Sequence, residues 1–158
     1  MLELLEITKD NLTKAKCESI YKWRFTHYRD KFKTSFIPSF EEHEEFMKQE
    51  ISDKMIHWFA LVTDLEMVGC FSIKLTEWEI NRRTCTIGRV MVEPERRRQK
   101  LGETLLKKGI DKLVKDKKIK RFELEVLRGN IAAIKLYQKC GFTIRKHNEE
   151  TIDMALKV

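Results

Sequence analysis

The sequence lacks any apolar run of about eighteen residues and any apolar N-terminal segment closed by a small-residue cleavage site, which speaks against a membrane-spanning helix and a secretory leader. A cytoplasmic protein is the expectation. It also lacks cysteines at C-x-x-C spacing: Cys17, Cys70, Cys85 and Cys140 are scattered and have no neighbouring histidines. That pattern argues against a zinc or other metal site and against a disulfide framework, and leaves buried free thiols. No repeat, low-complexity tract or linker interrupts the chain, and 158 residues can bury a sizeable core, so a single domain over residues 1–158 is expected.

A net charge of +7 raises the question of nucleic acid, and its distribution decides. Between Pro94 and Arg121 twelve Lys and Arg stand against four acids, whereas the rest of the chain carries 20 basic and 21 acidic residues. A nucleic-acid surface would interleave exposed aromatics with basic groups, and this segment has none. The charge suits the phosphates of a small ligand, and the later lysines are most simply a solvated helix face. Neither nucleic acid nor a membrane is expected as a partner.

The segment from Val90 to Leu106 organises the chain. Alternating apolar residues (Ile87, Val90, Val92) stop at Glu93-Pro94, a basic loop follows, and Gly102 leads into an amphipathic helix striped by Leu105, Leu106, Ile110 and Leu113. Strand, basic loop and helix make a phosphate cradle, because unpaired N–H groups and the positive end of the helix dipole meet at the helix N-terminus.

These residues resemble the GNAT acetyltransferases, whose fourth strand is followed by V-x-P-x-x-R-x-x-G-x-G/A-x-x-L. Val92, Pro94, Arg97, Gly102 and Leu105 fall on that pattern, with Lys100 where the first glycine usually stands. A lysine keeps the backbone N–H and loses glycine's freedom of φ, so the loop is either reshaped or the ammonium meets a phosphate itself. Further on, Glu123-Leu124-Glu125-Val126, then Asn130, Ala133, Leu136, Tyr137 and Gly141-Phe142, match the family's strand and N-x-x-A-x-x-L-Y-x-x-x-G-F helix. The resemblance is good from Met55 to the C-terminus and loose before it. It implies an α/β (α+β) GNAT fold: a mostly antiparallel mixed sheet of about seven strands with four helices, its fourth and fifth strands splayed apart. It also implies acetyl-CoA as cosubstrate, a small-molecule or peptide amine as acceptor, and it allows a homodimer.

In order, Leu2 to Ile7 reads as a strand, and Thr8 or Asp10 as the cap of a helix reaching about Trp23. Residues 24–30 show no clean period. Ser39 to Glu42 forms a capping box for a second helix to about Ile51, with His43 on or near its inner face. Met55–Thr63 and Met67–Leu75 read as paired strands, Glu77–Arg83 as a hairpin connection, and Gly88 in the strand from Thr84 as the mark of a bulge or close backbone approach, the resemblance implying a bulge within Arg89–Val92. The third helix ends among Lys115 to Lys118, Lys120–Leu127 is the fifth strand, Asn130 opens a helix that stops at Gly141, and 142–146 and 151–156 close the sheet.

The resemblance further implies direct attack of the amine on the acetyl thioester, which needs a proton acceptor, an oxyanion-stabilising group and a donor to the departing thiolate. Backbone N–H groups around Met91 and Val92 are expected at the thioester carbonyl, with Arg97, Arg98, Gln99, Lys100, Leu101, Gly102, Glu103 and Asn130 on the rest of the cofactor. Tyr137 is the candidate acid, against the alternative of a core aromatic. For the base, Thr86-Ile87 stands where many relatives carry a glutamate, and Glu125, in the place used by ribosomal-protein acetyltransferases, is the candidate, against a structural partner for a basic side chain; Glu123, His27, Tyr28, Glu77, Glu79 and a water chain are alternatives. The N-terminal third resembles GNAT enzymes that acetylate the 4-amino group of nucleotide-linked amino sugars, which places Trp23, Arg24 and His27 at the acceptor, Trp23 to stack and Arg24 to bind phosphate, against the alternative that Trp23, at helical spacing, is a core residue. A protein N-terminus or a polyamine is the second acceptor reading, and a non-catalytic acyl-CoA sensor the reading from another class. Arg97→Ala is predicted to weaken acetyl-CoA binding by about 1.5 to 3 kcal/mol, as for loss of a charge-assisted hydrogen bond; an unchanged calorimetric affinity would remove Arg97 from the cradle.

Overall fold

Strand pairing follows from which faces are apolar. The chain, described by a computed structural model over residues 1–32, 36–64, 66–96 and 99–158, forms seven strands: β1 (Glu3–Ile7), β2 (Ile56–Thr63), β3 (Glu66–Lys74), β4 (Thr84–Val92), β5 (Arg121–Leu127), β6 (Thr143–His147) and β7 (Thr151–Lys157). They make one sheet in the order β1-β2-β3-β4-β5-β7-β6, antiparallel throughout except for β4 against β5. The helices are α1 (Lys14–Lys22), α2 (Phe40–Ser52), α3 (Glu77–Asn81), α4 (Leu101–Lys117) and α5 (Ile131–Lys139).

Two cores sandwich the sheet. On one face α4 and α5 pack over Phe59, Leu61, Phe71, Ile73, Phe122 and Leu124; on the other α1 and α2 cover Ile7, Trp58, Ala60, Met67 and Cys70. Strands β2 and β3 are apolar continuously because both of their faces are covered. In β5 the period is two: Phe122, Leu124 and Val126 enter the first core, while Arg121, Glu123 and Glu125 turn to the other face.

Helix α4 lies close on the sheet because of Gly109, where a Cβ would stand 2.5 Å from Cζ of Phe71. Phe71, 1% exposed, stacks on Phe59 at 5.1 Å between ring centroids. Alanine is the better helix former by about 1 kcal/mol, yet here its methyl overpacks a closed core. Gly109→Ala is expected to destabilise the fold by about 1–2 kcal/mol in urea unfolding, and Phe71→Leu in the same chain to recover part of it; additive losses would rule out the contact.

Three sequence expectations change. Helix α1 starts at Lys14 with Thr13 as cap, its hydroxyl accepting from Lys16 N at 3.2 Å, because Thr8 instead closes a turn through Leu12 N at 2.9 Å. The segment expected to lack a period continues α1 as a π-helical turn, Trp23–His27, closed by Tyr28 N on Trp23 O at 2.8 Å. The expected hairpin connection is α3, since Thr76 and Glu79 form a second capping box. The box at Ser39 and Glu42 forms as read.

Candidate active site

The site begins with an irregularity in β4. Gly88 pairs with Ser72 and Met91 with Cys70, so Arg89 and Val90 together oppose Phe71 in a bulge, with Arg89 at φ 52°. Pairing with β5 runs only from Thr84↔Arg121 to Ile87↔Leu124, and beyond it the two strands part. Glu93 N bonds Val68 O at 2.9 Å, so antiparallel alternation gives Met91's backbone to β3 and turns the N–H and C=O of Val92 into the gap.

A cavity of about 200 Å³ fills that gap, walled by Tyr28, Gly88, Arg89, Val92, Glu125 and Tyr137. Next to it a groove of about 560 Å³ runs to the start of α4, past His27, Arg96, Lys100, Gly102 and Lys139; Tyr28, Lys31, Val92, Asn130 and Leu136 border both spaces. Lys100 adopts φ 57°, so the lysine takes the left-handed conformation that glycine supplies in the family pattern, and α4 starts without a side-chain cap. Its first N–H groups are left for a ligand. Glu103 at the groove would repel phosphate, but Lys107 at 2.7 Å and Lys139 at 3.2 Å hold its carboxylate and lower its pKa, the Lys107 hydrogen bond foremost.

Two groups with proton chemistry face the cavity. Burial pushes Tyr137's hydroxyl well above the ordinary tyrosine value, with Cys140 adding to it, and no hydrogen bond holds that hydroxyl among the described residues. Glu125 stands at the parting of the strands, accepts from Thr151 Oγ1 at 3.2 Å, and also borders a second space of about 340 Å³ with Glu123 and Asp153. Tyr28 approaches from the turn after α1: its hydroxyl donates to Val92 O at 2.7 Å and accepts from Val92 N at 3.3 Å.

The expected site residues therefore divide. Val92, Lys100, Leu101, Gly102, Glu103, Asn130, Tyr137 and Glu125 border the cavity or the groove. Asn130 also caps α5, accepting from Ala133 N at 3.4 Å. Met91 does not reach the gap; it is 1% exposed, its side chain in the second core and its backbone committed to β3. Trp23, expected at the acceptor with a core position as the alternative, is likewise a core residue at 4% exposure, continuing the buried stripe of Cys17 and Ile20. His27 borders the groove at the start of α4. Gln99 is exposed and away from the groove lining. Arg97 and Arg98 lie outside the described residues. Glu79 is structural: one oxygen serves its capping box and the other accepts from Thr86 Oγ1 at 2.9 Å.

Arg89, Lys31 and Lys139 were not anticipated. Arg89 follows Gly88 inside the strand expected to bulge, the one signal for it; Lys31 and Lys139 are ordinary basic residues until the fold brings them to the groove.

The acetyltransferase (GNAT) family profile matches residues 17–142. The acetyltransferase PseH of Campylobacter jejuni is 27% identical over 158 residues, spanning 99% of this chain and 94% of that protein. The Escherichia coli [ribosomal protein bS18]-alanine N-acetyltransferase is 41% identical over 71 residues, 43% of this chain and 47% of that one. Among solved structures, Campylobacter jejuni PseH in complex with acetyl coenzyme A superposes with a TM-score of 0.76 at 25% identity over 99% of both chains. The spermidine N-acetyltransferase of Vibrio cholerae, at 20% identity over 99% of this chain and 95% of that one, shares the fold with a TM-score of 0.81. With the splayed strands, the cradle and a profile match over most of its length, this chain belongs to the GNAT family and is an acetyl-CoA-dependent N-acetyltransferase.

Proposed function

We propose that the enzyme acetylates the amino group of a small acceptor, a nucleotide-linked amino sugar being the reading its N-terminal third supports, with Tyr137 as acid and Glu125 as base. The observation that carries the assignment of roles is that Tyr137 and Glu125 border one cavity, at the point where β4 leaves β5. Acetyl-CoA supplies the acetyl group as a thioester. The residues present fit it: the N–H and C=O of Val92 face the gap, where the Tyr28 hydroxyl holds both, and Lys100, Gly102 and the start of α4 stand at the far end of the groove. Tyr137, kept protonated by its burial, donates to sulfur as charge develops there. Glu125 takes the proton of the attacking ammonium, directly or through water, and its contact with Thr151 orients the carboxylate. Likeness to PseH along the whole chain supports the small-acceptor reading. The 71-residue likeness to an enzyme acting on a ribosomal protein, together with the placement of Glu125, favours a protein N-terminus as the second reading.

A thiol-release assay with acetyl-CoA against a UDP-linked 4-amino sugar, an Ala- or Ser-initiated peptide and spermidine tests this. Turnover with the amino sugar is the expected result; turnover with the peptide alone would transfer the assignment to the second reading.

Tyr28 sits where the cofactor's arm would join the edge of β4, since its hydroxyl uses both polar groups of Val92. Tyr28→Phe is expected to tighten acetyl-CoA binding by about 1 kcal/mol, roughly fivefold, by removing a competitor for those groups. Weaker calorimetric binding would instead make the hydroxyl part of the cofactor site.

A further inference from the structure

A chain of hydrogen bonds leads from the turn between β6 and β7 to Glu125. Asn148 Nδ2 lies 3.0 Å from Asp153 Oδ1 and 3.1 Å from Thr151 Oγ1, and Thr151 Oγ1 lies 3.2 Å from Glu125 Oε2. The chemistry of the groups fixes the direction of every bond. A carboxylate only accepts, so the amide meets Asp153 with its nitrogen, which has two hydrogens, one for Asp153 and one for Thr151. Thr151 receives that hydrogen on a lone pair, which leaves its single proton for Glu125. Thr151 is 4% exposed, so water has little access to compete for the hydroxyl.

The arrangement answers an electrostatic problem. Glu125 and Asp153 are direct cross-strand partners, and like charges so placed repel. Glu123 brings a third carboxylate to the same face, with Arg121 paired to it at 2.8 Å, and β6 adds Arg145 and Lys146. On its cavity side Glu125 faces Arg89, Lys31, Tyr28 and Tyr137. In this crowd one amide supplies a donor to each member of the cross-strand pair, to Asp153 directly and to Glu125 through Thr151. The turn itself does not depend on that amide: Asn148 N bonds Thr151 O at 2.8 Å, and Arg128 reaches Glu150 O at 3.0 Å through its backbone and Asn148 O at 2.8 Å through Nε.

We propose that Asn148 is a positioning residue for acetyl transfer: it fixes the Thr151 hydroxyl as a donor to Glu125 and so holds that carboxylate at the cavity, ready for the amine's proton. This rests on the reading of Glu125 as the base, and it adds the residues that aim it.

The test compares Thr151→Val, Thr151→Ser, Asn148→Leu and the double variant Thr151→Val with Asn148→Leu. Thiol release is followed with the UDP-linked 4-amino sugar, the peptide and spermidine, and the Glu125 carboxyl is titrated by carbon NMR in the full chain saturated with CoA. Each swap is neutral for neutral, so the charges around Glu125 stay as they are. Thr151→Val is expected to lower kcat about tenfold with acetyl-CoA affinity within about twofold. It should also move the acid limb of kcat/KM and the midpoint of the Glu125 signal to higher pH, because the charged form loses a donor. Thr151→Ser keeps the hydroxyl and should retain most of the parent rate and its pH profile. Asn148→Leu should act in the same direction as Thr151→Val and add nothing beside it, since its effect passes through Thr151. A Glu125 midpoint unmoved in Thr151→Val and Asn148→Leu, or an Asn148→Leu effect that persists in full in the double variant, would overturn the proposal. A midpoint that moves while Glu125→Gln leaves thiol release unaltered would instead remove Glu125 as the base, and the task of Asn148 with it, so the two failures are separable.

Discussion

Tyr137→Phe is expected to lower kcat by about a hundredfold or more, the scale of losing a positioned general acid, while acetyl-CoA affinity stays within about twofold. The split follows from geometry. The ring, 8% exposed and 5.9 Å from Phe142, belongs to the core, and phenylalanine preserves that packing. The hydroxyl has no structural partner among the described residues, so its removal leaves nothing unpaired. Because burial raises its pKa, the phenol stays protonated through the alkaline range in which ordinary tyrosines begin to ionise. The parent's pH–rate profile should accordingly lack an alkaline limb below about pH 10 that Tyr137→Phe abolishes. Single-turnover and calorimetric measurements on the variant check both halves; an unaltered rate would return Tyr137 to a purely structural role.

The second large effect concerns acid stability. His43 is 1% exposed, ringed by Tyr21, Phe25, Phe40 and Phe46, and its pKa falls to about 4 from 6.5. Burial is the main cause and Arg24 the next, with the Cys17 backbone acting weakly the other way. Below pH 6.5 the unfolded chain takes a proton here that the folded chain refuses until about pH 4. Stability contributed by neutral His43 is thus complete above 6.5 and lost on descending toward 4, by an amount on the order of 3 kcal/mol. Urea unfolding at pH 7, 5.5 and 4.5 should show that decline. His43→Leu should flatten it, and an identical slope in the variant would place the acid sensitivity elsewhere.

What could be read from the chain itself depended on how local the determining physics is. The cradle was legible because a strand, a proline, a glycine and an amphipathic helix follow one another within a few turns, and the Ser39 capping box because it spans four residues. The same pattern at Thr76 and Glu79 was equally present and went unread, because the short segment between two strands looked like a hairpin connection. Trp23 stands three residues after buried Ile20, so its inward direction was legible in the helical spacing, whereas the π-turn that begins at it was not, since no residue type announces such a turn. Arg89 needed its backbone conformation as well as its identity, since only the bulge aims it at Glu50 and Ser72. The Tyr28 contact joins residues 64 positions apart, beyond the reach of any spacing argument.

The short joint between β4 and β5 bears on how the molecule assembles. Strands β2, β3 and β4 pair with sequence neighbours, and β6 with β7, so each part of the sheet can zip along nearby chain. The parallel joint at Thr84–Ile87 is different, because it must wait for the chain to travel through α4 and return as β5. Since the cavity exists only where those strands part after having met, no fragment ending before β5 contains it. Gain of acetyl-CoA binding during refolding would therefore time the meeting of the two halves of the sheet rather than the collapse of either one.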